Sequence, residues 1–230
     1  MKYVVANYKM NGNTELFDKV QTQLNKLCTK DTKIVLCPPF VYLPILNCGN
    51  FCLGAQDVSC CTTHKYTGEI SAKMLKEFGV EYCIVSHADR KVMGESIEQS
   101  AKKVLHCVEN GIIPIICVGE QNKNQNIDIL KKQLKQSCCY IKNAKLIVAY
   151  EPVSAIGDKP DDVKKIEFVA NKIREWAFSL GVEAKVLYGG GVNKLNCKQI
   201  LSSGVDGVLL GKASLLVDDF VDIVLEVENE

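Results

Sequence analysis

Short apolar runs recur along the chain, separated by segments in which apolar residues are spaced by three and four. Eight of the runs read as strands, over residues 3–7, 33–38, 51–55, 82–86, 112–118, 146–150, 185–188 and 208–210. Most are near-continuous in Val, Ile, Leu and Cys, the pattern of parallel strands buried on both faces. Between them, Leu16, Val20, Leu24 and Leu27 fall on one helix face. Ile97, Ala101, Val104, Leu105 and Val108 form a second such stripe, and Ile127, Leu130, Leu134 and Ile141 a third. A fourth is Val163, Ile166, Val169, Ala170, Ile173 and Ala177. The last helix, over about 215–227, turns Val217, Phe220, Val221 and Val224 inward. Shorter helices are predicted over 71–78 and 193–203, and only a weak helical turn around 44–47.

Eight strands alternating with helices, with no Pro/Ser-rich linker, predict one α/β domain spanning residues 1–230. A closed (β/α)8 barrel accounts for the strand count and spacing; an open doubly wound sheet is the alternative. Hydrophobic residues at 47% and charged residues at 24% are those of an ordinary globular chain, which argues against a disordered chain or a coiled coil. With 28 basic and 27 acidic side chains, no basic footprint points to nucleic acid or to an acidic membrane surface. The longest apolar runs fall far short of the ~20 residues that span a bilayer, and no secretory signal is legible, so the expected location is cytoplasmic. The twelve cysteines read as free thiols in a reducing compartment, several of them small buried hydrophobes. Cys48, Cys52, Cys60, Cys61 and His64 lack metal-site spacing.

In a parallel barrel, chemistry collects at the C-terminal ends of the strands. The first run delivers Asn7 and Lys9, the fourth His87 and Asp89, and the sixth Glu151. The seventh ends in Gly189-Gly190-Gly191 and the eighth in Gly211-Lys212, turns whose free N–H groups suit a phosphate. A base, an imidazole and a cation at one mouth fit proton abstraction beside the carbonyl of a phosphorylated compound. That chemistry requires neither a metal nor an organic cofactor. Taken singly, each residue has a plainer reading: a solvated lysine, a capping histidine, a Glu-Pro turn.

Ala6-Asn7-Tyr8-Lys9-Met10-Asn11-Gly12, Ser86-His87-Ala88-Asp89-Arg90 and Ala149-Tyr150-Glu151-Pro152-Val153 closely resemble the catalytic motifs of the triosephosphate isomerase family. Five further motifs follow in order, from Cys37-Pro38-Pro39-Phe40 to Tyr188-Gly189-Gly190-Gly191-Val192. The resemblance implies a TIM barrel that interconverts dihydroxyacetone phosphate and glyceraldehyde 3-phosphate in glycolysis and gluconeogenesis. It implies Lys9 and Asn7 as the pair that positions substrate, His87 as the electrophile and Glu151 as the base. Gly157, Gly191, Gly211 and Lys212 would bind the phosphate. The helix start after His87 would disfavour an imidazolium, and the resemblance implies a neutral histidine beside a glutamate base. The resemblance also implies a homodimer through the loop from Cys60 to Glu69, with Thr67 completing the neighbour's site.

The departures from the family pattern cluster around the lid. The stretch after Glu151-Pro152-Val153 reads Ser154-Ala155-Ile156-Gly157-Asp158-Lys159-Pro160, without the family's hinge tryptophan or its second glycine. Residues 121–126 replace an acidic, glycine-bearing segment, Gly191 stands for a serine, Lys212 for a glycine and Asp89 for a glutamate. A shortened lid is expected to latch less well, lowering kcat and leaking methylglyoxal. It also motivates the alternatives of a four-carbon sugar phosphate substrate or a catalytically weak paralogue.

Overall fold

A computed structural model describes residues 1–61, 65–121, 126–155 and 159–230. The strands are β1 (Lys2–Asn7), β2 (Thr32–Cys37), β3 (Cys52–Ala55), β4 (Val80–Val85), β5 (Ile113–Val118), β6 (Lys145–Tyr150), β7 (Glu183–Tyr188) and β8 (Gly207–Leu210). Each pairs in parallel with its neighbour, and β8 pairs with β1 from Tyr3 opposite Gly207 to Ala6 opposite Leu210. That last pairing closes the sheet, so the architecture is a (β/α)8 barrel and the open-sheet alternative falls.

The helices are α1 (Thr14–Leu24), α2 (Ala72–Glu77), α3 (Ala88–Val92), α4 (Ile97–Glu109), α5 (Asp128–Ser137), α6 (Val163–Ser179), α7 (Cys197–Leu201) and α8 (Val217–Glu228). Four of the sequence expectations need correction. After β2 the chain forms a 3-10 helix over Phe40–Ile45, ahead of the expected turn; Pro44 inside it is tolerated in so short a segment. Helix α7 is half the predicted length. Ile141 packs in the core beyond the end of α5 rather than on it. In α1 the buried face is Phe17, Val20 and Leu24, while Leu27 lies past the helix end. Phe17 meets the Tyr8 ring edge-on at 4.9 Å, a contact that no spacing rule reports.

Side-chain parity sorts the strands into two layers. Val5, Val35, Cys37, Ile84, Ile115, Cys117, Ile147, Ala149, Leu187 and Leu209 fill the barrel interior. Their alternates, such as Val4, Ala6, Val148 and Val186, pack outward under the helices. Continuing the inward parity past the strand ends leads from Val5 to Asn7, from Cys117 to Gly119, from Ala149 to Glu151, from Leu187 to Gly189 and from Leu209 to Gly211. The period of two therefore carries these residues to the mouth.

Beside that mouth a buried charge cluster ties α4 to the loop after β3. Lys103, 6% exposed at its side chain, holds Asp57 at 2.7 Å and Glu95 at 2.5 Å, and Arg90 reaches Asp57 at 2.9 Å. Its burial lowers the Lys103 pKa, but the two carboxylates outweigh burial and leave it raised. Lys103→Met should cost roughly 3–5 kcal/mol, because the buried Glu95 loses its nearest cation and Asp57 keeps only the half-exposed Arg90. Urea denaturation checks this, and a loss below ~1 kcal/mol would show the cluster to be solvated. All twelve cysteines are free thiols. The set Cys48, Cys52, Cys60 and Cys61 is divided by β3, with the first pair before or at its start and the second beyond its end; His64 lies outside the described residues.

Candidate active site

A cleft of about 460 Å³ opens at the C-terminal ends of the strands, lined by Asn7, Lys9, His87, Glu151, Gly191, Gly211 and Lys212 among others. Seven of the eight residues expected from sequence thus meet in one space. The eighth, Gly157, lies outside the described residues.

Glu151 follows β6 directly, and its backbone N–H donates to Val118 O at 2.8 Å. Its side chain is 4% exposed, and Oε2 lies 3.5 Å from His87 Nε2. That oxygen is buried and accepts no hydrogen bond among the described residues. Two glycines make room for Glu151, Gly189 beside its side chain and Gly119 beside its backbone. A Cβ on Gly189 would stand 2.6 Å from Glu151 Cγ, and one on Gly119 would stand 1.9 Å from Glu151 O. Neither approach is compatible with a larger residue.

His87 caps α3. Its Nδ1 accepts the Asp89 backbone N–H at 3.0 Å, which leaves Nε2 as the protonated nitrogen facing the cleft. Burial lowers the His87 pKa, but the Glu151 and Asp89 carboxylates outweigh it, and these charges leave the pKa raised. The helix start is therefore only part of the balance expected from sequence. Opposing the charges, a second proton on Nδ1 would break the Asp89 bond and set N–H against N–H. Glu151→Gln removes the first of the two raising carboxylates, so the imidazole should titrate at lower pH in that variant. Nitrogen-15 NMR of labelled histidine reads this; an unchanged midpoint would contradict the Glu151 contact.

Lys9 has φ of +50°, a left-handed backbone that is uncommon for a lysine. Asn7 Oδ1 accepts the Lys9 N–H at 3.1 Å, and Gln56 Nε2 donates to Lys9 O at 2.8 Å and to Cys37 O at 2.9 Å. Local strain of this kind persists where the surroundings over-determine it. The result places Lys9 Nζ 3.0 Å from Asp89 Oδ2, so the shorter acid still reaches the lysine. Ser86, just before His87, has φ of +63° as well.

Several contributors escaped the sequence reading. The sequence pattern carries no site expectation for Gln56 or Gly119, and only that of a turn for Gly189. Strand parity was the signal that would have found both glycines. Lys91 sits at the end of α3 and donates to Cys117 O at 3.2 Å; burial lowers its pKa. At the end of β6, Tyr150 donates its one phenolic proton toward Asp161 Oδ2 at 3.1 Å or Glu120 Oε1 at 3.3 Å. Asp161 N–H donates to Tyr188 OH at 2.8 Å, and Lys165 pairs with Asp161 at 2.8 Å. Asp161 and Lys165 therefore occupy ground beside Glu120. The expectations for the shortened lid fall largely on residues 156–158 and 122–125, outside the described residues.

Comparison with known proteins decides the family. The sequence pattern described as triosephosphate isomerase matches residues 2–227. The chain belongs to the triosephosphate isomerase family. It is 35% identical to the triosephosphate isomerase of Wigglesworthia glossinidia brevipalpis, over 98% of this chain and 96% of that one. It is 36% identical to that of Ehrlichia chaffeensis (98% and 97%) and 34% identical to that of Legionella pneumophila strain Lens (97% of each). Matches of this length place a triosephosphate isomerase family barrel over essentially the whole chain.

Proposed function

We propose that the chain interconverts dihydroxyacetone phosphate and D-glyceraldehyde 3-phosphate through an enediolate, with Glu151 as the base and His87 as the electrophile. The observation that carries this reading is the open Glu151 Oε2 facing His87 Nε2 at 3.5 Å, with Lys9 in the same cleft. Glu151 takes the proton from the carbon beside the carbonyl. The His87 Nε2–H donates to the carbonyl oxygen as that oxygen gains negative charge, then follows it as the proton moves between the two oxygens. Glu151 returns its proton to the neighbouring carbon. Lys9, steadied by Asn7, offsets the charge of the phosphate dianion and the enediolate. Backbone N–H groups at Gly157, Gly191, Gly211 and Lys212 would hold the phosphate, and the Lys212 ammonium adds a second cation at the rim. Every group in the cycle belongs to the chain, so it calls for no cofactor.

Family membership favours a triose phosphate over the four-carbon alternative and over a catalytically weak paralogue. A coupled assay with D-glyceraldehyde 3-phosphate tests this; a folded protein that turns over a tetrose phosphate and ignores the triose would overturn it.

The assembly we propose is a homodimer. A second cavity of about 600 Å³ adjoins the cleft, shares Asn7, Lys9 and His87 with it, and runs out to Cys60, Glu69 and Lys103. The 60–69 loop of a second copy would fill it and bring Thr67 to the neighbour's Lys9. No helix among the described residues is long and apolar enough to cross a membrane, and the location that suits the proposed chemistry and the free thiols is the cytoplasm.

A further inference from the structure

The turn after β7 holds three consecutive glycines, Gly189, Gly190 and Gly191, the least restrained backbone a chain can present. The first two are fixed by packing. A Cβ on Gly190 would stand 2.5 Å from Tyr188 OH and 2.9 Å from Ala155 Cβ, and Gly189 lies against Glu151. Gly191 has φ of +60° and lines the cleft with Val192 and Asn193. Its carbonyl is held by a side chain five residues on: Asn196 Nδ2 donates to Gly191 O at 2.9 Å. The same side chain accepts the Asn193 N–H on Oδ1 at 2.8 Å. We propose that Asn196 is the positioning residue of the phosphate site, setting this turn so that the Gly191 and Val192 N–H groups stay free for the anion. This role rests on the reading of the cleft as a triose phosphate site.

The direction of its hydrogen bonds sets Asn196 apart. It occupies the N-cap of α7, where an asparagine ordinarily accepts a backbone N–H of its own helix. Asn13 does so for α1, accepting the Leu16 N–H at 2.8 Å. Asn196 makes no such bond, and both ends of its amide turn back to the preceding loop. Reversing the amide would set donor against donor and acceptor against acceptor, so the two bonds fix its orientation. In a planar trans peptide the C=O and the N–H point in opposite directions. Holding Gly191 O therefore turns the Val192 N–H away from Asn196. Among the described residues neither the Gly191 nor the Val192 N–H has an acceptor, whereas that of Asn193 is taken. Two adjacent free donors at a glycine of positive φ form a concavity suited to an anion.

Inorganic phosphate is the probe, followed through the Gly191 and Val192 amide resonances of nitrogen-15-labelled protein, a measurement that needs no turnover. Asn196→Asp keeps the size of the side chain and the acceptor for Asn193 but loses the donor to Gly191 O; Asn196→Ala loses both. Each should bind phosphate more weakly by roughly tenfold or more, the worth of one hydrogen bond to a charged group. With glyceraldehyde 3-phosphate, Asn196→Ala should raise KM by a similar factor and keep kcat within about threefold. For D-glyceraldehyde, which carries no phosphate, kcat/KM should stay within about twofold. Ser203→Ala cuts the buried 2.6 Å bond to Ile200 O at the far end of α7 and should leave phosphate binding unchanged. Phosphate affinity within about twofold of the parent's in either folded Asn196 variant would overturn the proposal. So would an equal loss with D-glyceraldehyde or in Ser203→Ala, which would mark a general loosening of α7. A parent whose two amides respond to phosphate but which ignores the triose phosphate would contradict the isomerase reading and not the role of Asn196.

Discussion

Glu151→Gln is expected to lower kcat for glyceraldehyde 3-phosphate by roughly 100-fold to 10,000-fold while leaving KM within a few-fold, the signature of a lost general base. Glutamine keeps the shape that Gly189 leaves for the side chain, so packing is not the variable. What changes is chemical. A carboxamide oxygen is far too weak a base to take a proton from carbon, and Oε2 is a buried oxygen that accepts no hydrogen bond among the described residues. The variant's urea midpoint, measured beside the parent's, controls for folding. A kcat within tenfold of the parent would assign the base to another group.

Lys9→Met is expected to reduce kcat/KM by roughly 1,000-fold, the upper end of the range for removing one preorganised donor from a developing negative charge. Two effects add here. The ammonium that faces the phosphate and the enediolate is gone, and Asp89 is left as an unpaired carboxylate beside His87 Nδ1, at 3.5 Å. A Lys9→Met/Asp89→Asn double variant separates them. Removing the stranded carboxylate should recover no more than about tenfold. Full recovery would mean that Lys9 serves only to neutralise Asp89.

The elements that the sequence made legible share one property: their signal is local and periodic. Near-continuous apolar runs marked all eight strands to within two residues, because a strand buried on both faces leaves no polar positions to blur its ends. Asn7 was legible because it ends such a run, and His87 and Glu151 because each follows one immediately. Contacts between distant segments were not legible. Lys103, Asp57 and Glu95 sit in separate elements, and nothing in their local sequence marks them as a cluster. Gln56 reaches Lys9 O across forty-seven positions, and His106 reaches Ser59 O across the same distance. The 3-10 helix at Phe40–Ile45 was misplaced because its i to i+3 bonds need no apolar stripe. His87 was read through the helix start alone, since the carboxylate facing it comes from β6, sixty-four residues later.

The most direct test of the account is isomerisation of glyceraldehyde 3-phosphate in deuterium oxide, followed by proton NMR. A carboxylate that lifts the proton from one carbon and returns it to the next exchanges some of it with solvent. Deuterium should therefore appear at carbon 1 of the dihydroxyacetone phosphate formed by the parent enzyme. Turnover with no deuterium at that carbon at any stage of the reaction would indicate transfer without a solvent-exchangeable base, and would contradict the role given to Glu151.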